Sequence, residues 1–456
     1  MIIPPSDNDT ICAIATPPGV GGIAVIRISG FEAIETAQKL WNGKSLTRSQ
    51  THTAHLGRII DPVTGETIDE AVATVYRAPR SFTGQDTVEL SIHGSRWLQS
   101  HILGLLTSQP GTRLAEPGEF TRRAFVNGRI DLTQAEAVAD LIGSRSQAAA
   151  RLAISQMRGA VSQRLASLRQ QLIDLSALLE LELDFSEEDV EFADRSKLVQ
   201  TGRYIRDEIA SLLGSFSAGQ AMKNGIPVAI VGATNAGKSS LLNALLGDNR
   251  AIVSDIHGTT RDIIEDTLHL GGYEFRLMDT AGLRKTDDTI EALGIERTRK
   301  AAESAAILLI VVDATAPLPD LSQMPSAPHT ILLLNKTDLP GAVTNADTAD
   351  GTTVISISAK TGTGLDMLRQ SLVNVVAQAD ADSAGETLIT NRRHADALAE
   401  ALAATEDPLA ALDMGLSGDL VAQHLRLTLH HLGTITGAIT TPDILATIFS
   451  RFCIGK

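Results

Sequence analysis

The stretch GATNAGKSS begins at Gly232, directly after the apolar run IPVAIV, and it dictates what this part of the chain folds into. It fits the pattern G-x-x-x-x-G-K-[ST], with a predicted strand before it and a predicted helix, SLLNALLG, after it. Glycines in such a loop let backbone N–H groups close around phosphate oxygens, and the start of the following helix adds positive potential. Lys238 then reaches the β- and γ-phosphates, and Ser239 ligates Mg²⁺. The alternative is a glycine-rich strand–helix turn that binds nothing; strand, loop, Lys-Ser and helix standing together argue against it. Further along, EFRLMDTAG, AILLIVVDAT, HTILLLNKTD and TVISISAK are strand-like runs separated by helical segments. That alternation predicts a parallel sheet with helices on both faces.

Four more elements say which nucleotide the loop serves. NKTD (Asn335, Lys336, Asp338) follows ILLL, and SAK (Ser358, Ala359, Lys360) follows TVISI. A fixed carboxylate at Asp338 accepts from both the ring N–H and the exocyclic amine of guanine. Adenine offers neither on that edge, so a buried carboxylate would be left unpaired, a larger penalty than shape alone imposes. Lys336 lies along the base plane. DTAG (Asp279, Thr280, Ala281, Gly282) ends a strand, so Asp279 holds the Mg²⁺ shell while the Gly282 amide meets the γ-phosphate. GTTRD supplies Thr259 and Thr260, one of them a second Mg²⁺ ligand. All five elements occur in order, which predicts a GTPase. Its expected nucleotide contacts are Asn235, Ala236, Gly237, Lys238, Ser239 and Ser240; Ser254, Asp255, Ile256, His257, Gly258, Thr259 and Thr260; and the residues of the three later motifs. Leu283 stands where small signalling GTPases place a water-orienting glutamine. Glu291 is a candidate replacement; the alternative is a solvated glutamate at a helix start.

At 456 residues the chain exceeds one hydrophobic core, so two or three domains are expected. Residues 1–128 look β-rich, with TICAIATPPG and GIAVIRISG as a strand–turn–strand unit and DEAVATVYRAP and DTVELSIHG as further strands. From Asp131 the character becomes helical, and Leu165, Leu168, Leu172, Leu175 and Leu179 step by 3 and 4 along one stripe. Helices return after residue 379, so residues 223–378 read as an α/β domain inserted into a helical one made of 129–222 and 379–456. ATAPLPDLSQMPSAPHT, with four prolines, reads as a loop. A net charge of −15 means that an RNA partner needs a local basic patch or a second protein. The 3% aromatic content excludes base stacking over a wide surface. Two cysteines, Cys12 and Cys453, make no disulfide framework and suit a reducing cytosol. MIIPPSDNDT has no signal-peptide pattern, and no run approaches the roughly 18 apolar residues of a membrane span, so a soluble, cytoplasmic protein is expected.

The terminal RFCIGK poses its own question. A C-a-a-X box fails because the last residue is lysine. The preceding TPDILATIFSRF reads as an amphipathic helix, which disfavours a frayed tail and leaves a terminus that docks back on the N-terminal domain. Cys453 is then either a catalytic thiol or a buried structural cysteine. Arg122, Arg123 and Arg129 are the candidate RNA-facing cluster; a solvated or ion-paired face is the alternative. Arg27, at the end of an apolar strand, reads as an edge-strand gatekeeper.

From end to end the chain resembles the tRNA-modification GTPase MnmE (TrmE) family. The likeness rests on NDTICAIATPPGVGGIAVIRISG, SFTGQDTVELSIHG, EPGEFTRRAFVNGRIDLTQAEAVADLI, the five nucleotide motifs and FCIGK. It implies a β-rich folate-binding N-terminal domain (1–128) that dimerises, an all-α helical domain (129–222 and 379–456, ending in CIGK), and an inserted P-loop, Ras-like α/β G domain (223–378). The implied partner is the flavoprotein MnmG, using FAD and NADH, in a heterotetrameric or larger complex built on a homodimer. The implied work adds a carboxymethylaminomethyl-type group to carbon five of the wobble uridine of certain tRNAs, with formyl- or methylene-tetrahydrofolate as one-carbon donor. It also implies potassium-dependent dimerisation of G domains, with K⁺ held by Asn235, Ser254, Ile256 (through its carbonyl) and Thr259, and Mg²⁺ by Ser239 and Thr260. Glu291 falls at the family's water-organising glutamate, and Arg27, Glu89, Arg129 and Lys456 fall at its folate contacts. Where this chain has Arg129 the family commonly has lysine. Two other functions compete: an assembly GTPase with the front half as a docking module, which would bind RNA unaided and show no folate affinity, and a folate-dependent one-carbon transferase of small metabolites, which would turn over without tRNA.

Overall fold

The computed structural model describes residues 9–184, 195–247, 266–279, 302–318, 327–345, 352–382, 387–413 and 418–450, with Phe452 and Gly455. The chain divides into two compact units: Met1–Ala139, Gln156–Arg195 and Ala410–Lys456 form one, and Asp140–Ser155 and Ser196–Leu409 the other. Among the described residues no helix is long and apolar enough to cross a membrane.

The first unit opens with β1 (Thr10–Ile14), β2 (Gly21–Ser29), α1 (Ala33–Lys39), β3 (Trp41–Gly43), β4 (Thr53–Ile60), β5 (Thr67–Tyr76), β6 (Thr87–Gly94), α2 (Arg96–Thr107) and β7 (Thr112–Leu114). These strands make one sheet in the order β3-β4-β5-β6-β2-β1-β7, antiparallel except where β7 joins β1. Alternate residues face a core: Ile26 and Ile28 of β2, Ala71, Ala73 and Val75 of β5, and Val88, Leu90 and Ile92 of β6 pack under Ile34 of α1 and Ile102 and Leu106 of α2. β2 lies between β6 and β1, so Arg27 is not on an edge strand and the gatekeeper reading is corrected.

Helices follow: α3 (Glu119–Val126), α4 (Leu132–Gly143), whose last turn passes into the second unit, α5 (Gln147–Met157), which belongs to the second unit but for its last two residues, and α6 (Ala160–Asp184), back in the first. Leu165, Leu168, Leu172 and Leu175 of α6 are buried, as their spacing predicts. The unit's sharpest constraint is a buried charge cluster. Arg123 and Glu119, each 1% exposed, pair at 3.0 Å. Arg123 also donates to the Asp9 carboxylate at 2.5 Å, the Asp9 carbonyl at 2.7 Å and Gln85 Oε1 at 3.2 Å. Arg113 meets both Glu119 oxygens, at 2.6 and 2.8 Å. Arg122 pairs with Glu119 at 3.4 Å. Arg122 and Arg123 thus belong to an ion-paired face, and only Arg129 of the expected RNA-facing cluster is exposed.

The second unit contains α7 (Arg195–Gly214), α8 (Phe216–Asn224), β8 (Ile226–Val231), α9 (Lys238–Leu246), β9 (Asp266–Leu270), β10 (Tyr273–Asp279), β11 (Ile307–Asp313), β12 (His329–Asn335), β13 (Thr353–Ser356), α10 (Leu365–Asp382) and most of α11 (Arg392–Asp413). Its sheet runs β13-β12-β11-β8-β10-β9. All pairs are parallel except β9–β10, whose antiparallel hairpin turns on Gly271 and Gly272, both at positive φ. The sheet is therefore mixed, where a wholly parallel one is expected from the strand-like runs. One face buries Ile230, Leu309 and Leu333 against Leu241 of α9 and Leu368 of α10; the other buries Ala229, Leu308, Ile310 and Leu332 against Ala302 and Ala305.

The chain then returns to the first unit with α12 (Gly418–Thr436), which packs along α6, and α13 (Pro442–Phe449). Thr441 caps α13, its hydroxyl accepting from the Ile444 amide at 3.4 Å, with Pro442 pre-set at the first helical position. Ile448, Phe449 and Phe452 bury against Leu132 and Ala135 of α4. Gly118, at φ +69°, lies so close that a Cβ there would sit 2.5 Å from the Phe449 carbonyl.

Burial opposes the charge on Glu119. Hydrogen bonds from Arg113 and the Glu116 amide, with the charge of Arg123, outweigh it and lower its pKa from 4.5 to about 2. A folded value below the unfolded one means stability that is present above pH 4.5 and is lost as the pH falls toward 2, about 3 kcal/mol at full expression. Glu119→Gln should cost a comparable ~3 kcal/mol in urea denaturation at pH 7, since Arg123 keeps only Asp9 as a charged partner, and should flatten the acid limb. An unchanged midpoint and acid limb would show that the cluster does not stabilise the unit.

Candidate nucleotide-binding site

In a parallel sheet every strand points the same way, so the loops that leave β8, β10, β11 and β12 gather at one carboxyl edge, where ligands of such sheets bind. Gly232 leaves β8 at φ +152°, against β11 so tightly that a Cβ would lie 2.1 Å from the Val311 carbonyl. The loop then passes Asn235, left-handed at φ +64°, and Gly237, at φ +98°, before α9 begins. Asparagine tolerates that conformation better than most residues with a side chain. Lys238 Nζ arches back to donate to the Gly232 and Ala233 carbonyls at 2.8 and 2.9 Å, which holds the ammonium along the rim of the loop. Ser239 is half-buried in the first turn of α9, and Ser240 is exposed.

Asn335 ties the motifs together. It is 2% exposed at the end of β12; its Nδ2 donates to the Ala236 carbonyl at 2.8 Å, and its Oδ1 accepts from the Ala359 amide at 3.0 Å. One side chain thereby spans the phosphate loop and the SAK loop. A Cβ on Gly237 would stand 2.2 Å from Asn335 Nδ2, so this contact needs glycine there as much as the φ does. Ser358, 1% exposed, donates its hydroxyl to Asp338 at 2.8 Å and fixes that carboxylate. Asp338 is itself exposed, which corrects the expectation of a buried carboxylate: the Ser358 hydrogen bond, rather than burial, orients it. Lys360, two residues after Ser358, is exposed.

Sequence reasoning passed over Asp313. It ends β11 opposite Asn335 in register, and its Oδ2 pairs with Lys336 Nζ at 2.6 Å. Lys336 sits at φ +67°, and the Thr315 hydroxyl and amide hold the other Asp313 oxygen. The Lys336 hydrogen bond, followed by those of Thr315, lowers the Asp313 pKa to about 2, so the pair stays charged across the neutral range. The signal was present: Asp313 closes an apolar strand as Asp279 closes its own. Asp279 lies at the end of β10, level with Ile230 of β8. Ser254, Asp255, Ile256, His257, Gly258, Thr259, Thr260, Thr280, Ala281, Gly282, Glu291, Cys453 and Lys456 lie outside the described residues. Ser239 and Asn235 both offer oxygen donors, which suits the hard cations Mg²⁺ and K⁺.

A second constellation lies in the first unit. Arg27 faces Glu89 across the β2–β6 pair, and its Nε and Nη2 each reach Glu89 Oε1 at 2.8 Å. Its Nη1 donates to the Gly455 carbonyl at 3.2 Å, and its guanidinium lies over the Phe120 ring, 5.6 Å from the centroid. Gly455, at φ +95°, approaches β1 so closely that a Cβ would be 2.3 Å from the Ile14 carbonyl. The end of the chain therefore docks on this pair. Burial first, then the Glu89 charge, pushes the Tyr76 hydroxyl up. Arg129 makes no hydrogen bond or ion pair to these residues; it lies against Gly84 at the edge of a cavity.

The family described as MnmE helical domain matches residues 132–453, and that described as GTP-binding protein TrmE N-terminus matches residues 10–129. A tRNA modification GTPase MnmE of Parabacteroides distasonis is 50% identical over 98% of this chain and 100% of its own. Another, of Cytophaga hutchinsonii, is 46% identical over 98% of both chains. A solved G domain of the T. maritima FeoB iron transporter is 25% identical over 33% of this chain and 98% of its own, with a TM-score of 0.24.

Removing the Asn335 bridge by Asn335→Ala, or crowding it by Gly237→Ala, should weaken guanine-nucleotide binding by about 10- to 100-fold in titrations with a fluorescent GDP analogue. Asp313→Asn should have a smaller effect, about threefold to tenfold, because Lys336 loses only its anion. Unchanged affinity in the first two variants would separate the bridge from nucleotide binding.

Proposed function

This chain belongs to the tRNA modification GTPase MnmE family, and we propose that it binds GTP at the carboxyl edge of the β8–β13 sheet and hydrolyses it to drive modification of a wobble uridine in tRNA. The observation that carries the nucleotide reading is the Asn335 bridge, since it joins a phosphate-binding loop to the two loops that would read the base. Backbone amides from Asn235 to Ser239 surround the phosphates, and Lys238 swings from its carbonyl partners to the β- and γ-phosphates. Asp338, aimed by Ser358, accepts from the guanine edge, and Lys336, held by Asp313, covers the base plane.

Ser239 and Thr260 would hold Mg²⁺, and Asn235, Ser254, Ile256 and Thr259 would hold K⁺; the two cations would supply positive charge where negative charge develops on the phosphate oxygens. With Leu283 unable to orient water, Glu291 takes that task, and pairing of two G domains completes the site. The fold is read as a folate-binding segment (1–128), a helical domain (129–222 and 379–456) and the inserted G domain (223–378). The Arg27–Glu89 pair, with Arg129 and Lys456, would receive a formyl- or methylene-tetrahydrofolate, and Cys453 would stand near its one-carbon unit. The protein acts as a homodimer with the flavoprotein MnmG, which brings FAD and NADH and much of the basic surface for tRNA; the chain's net charge of −15 favours such a division.

Steady-state GTP hydrolysis in KCl and in NaCl at equal ionic strength tests the mechanism. A K⁺-specific stimulation of tenfold or more, abolished by Asn235→Ala, is the expected outcome. Equal rates in the two salts would rule out potassium-dependent pairing.

A further inference from the structure

We propose that a cavity beside Arg129 receives the glutamyl tail of the folate, with Arg169 as a second carboxylate anchor; this rests on the folate reading above. The cavity, about 760 Å³, lies within the first unit, between the α3–α4 turn, α6 and the end of α12. Arg129 and Arg169 both line it, and neither guanidinium has a hydrogen bond or ion pair among the described residues. For Arg169, which is half-buried, that is an unusual state, because a guanidinium taken partly from water ordinarily finds an anion or a carbonyl. The fold makes room for it: Gly433, in the last turn of α12, is where a Cβ would lie 3.1 Å from Arg169 Nη1.

The polar groups around the two arginines are already committed. Asp131 Oδ1 caps α4 by accepting from the Gln134 amide at 2.9 Å and the Thr133 hydroxyl at 2.7 Å. Gln134 Oε1 accepts in turn from the Asp131 amide, and its Nε2 donates to the Met157 carbonyl. What is left to act on a ligand is two forked cations against the one Asp131 carboxylate, with Gln163, Gln170 and Thr436 and an apolar wall of Phe125 and Ile173. Carboxylates suit the forks, and an aryl ring suits the wall. The p-aminobenzoylglutamate half of a folate carries both. α3 carries a residue of each place: Phe120 lies under Arg27, and Phe125 lines the cavity five residues on, about 7.5 Å along the helix and about 140° around it. An RNA backbone would call for a hydrated basic surface rather than a partly apolar cavity.

The test is titration of the full-length protein with 5-formyl-tetrahydrofolate bearing one or three glutamates. The triglutamate should bind about tenfold more tightly, and Arg169→Gln should remove that gain while Arg169→Lys keeps part of it. Gln163→Glu, an exposed change with little risk to folding, should cut the gain by charge repulsion. Equal affinity of both folates for the parent protein, or a gain that survives Arg169→Gln, overturns the tail site and leaves the folate reading standing. Failure of the parent protein to bind either folate overturns both. If Arg169→Gln weakens binding of a tRNA anticodon stem-loop and leaves both folates unchanged, the cavity serves RNA and the inference is wrong.

Discussion

Parallel strand pairing is the constraint from which the nucleotide site follows. Parallel neighbours can be joined only by a crossover, so each of the mutually parallel strands, β8 and β10 to β13, must deliver its following loop to the same edge. Gly232, Asp279, Asp313 and Asn335 reach that edge because β8, β10, β11 and β12 run in register. Backbone hydrogen bonds bring them together, and side chains then refine the assembly. Asn335 satisfies both ends of its amide on two other loops, and Asp313 and Ser358 each hold a residue expected to meet the base. A buried amide left half-paired would be costly, so the bridge also favours one relative placement of the loops.

The first unit is organised by buried charge. Glu119 and Arg123 sit on one helix, four residues apart, yet their partners, Asp9, Gln85 and Arg113, come from three other places in the chain. Such a cluster is stable only when complete, so it specifies how α3 lies on the sheet. That placement puts Phe120 under Arg27 and sets Gly118 against the C-terminal helix. The end of the chain reaches Arg27 because α13 is first anchored by Phe449 and Phe452.

Much of this was legible in the residues themselves. The phosphate loop could be read because its chemistry lies within nine consecutive residues, and the α6 stripe because Leu165 to Leu175 recur at the helical period. The β9–β10 hairpin was missed although Gly271-Gly272 between DTLHL and YEFRL is a hairpin turn signal; DTLHL is short and half polar, so its period is weak. Arg27 was misjudged as an edge residue for another reason. Whether a strand is at an edge depends on its neighbours, and β6 lies some sixty residues away in sequence.

By itself, then, the sequence determined the local events: which segments become strands and helices, where glycines permit left-handed turns, and which motifs carry nucleotide chemistry. Only the tertiary structure decided that Arg27 is spent on Glu89, that Arg123 turns inward while Arg129 and Arg169 are left to face a cavity, and that Asp338 is oriented by a hydroxyl rather than by burial. The reason is range. Propensity and periodicity act over a few residues, whereas the partner of a charged or polar side chain is chosen by strand register and helix packing, which join residues from 20 to more than 400 positions apart.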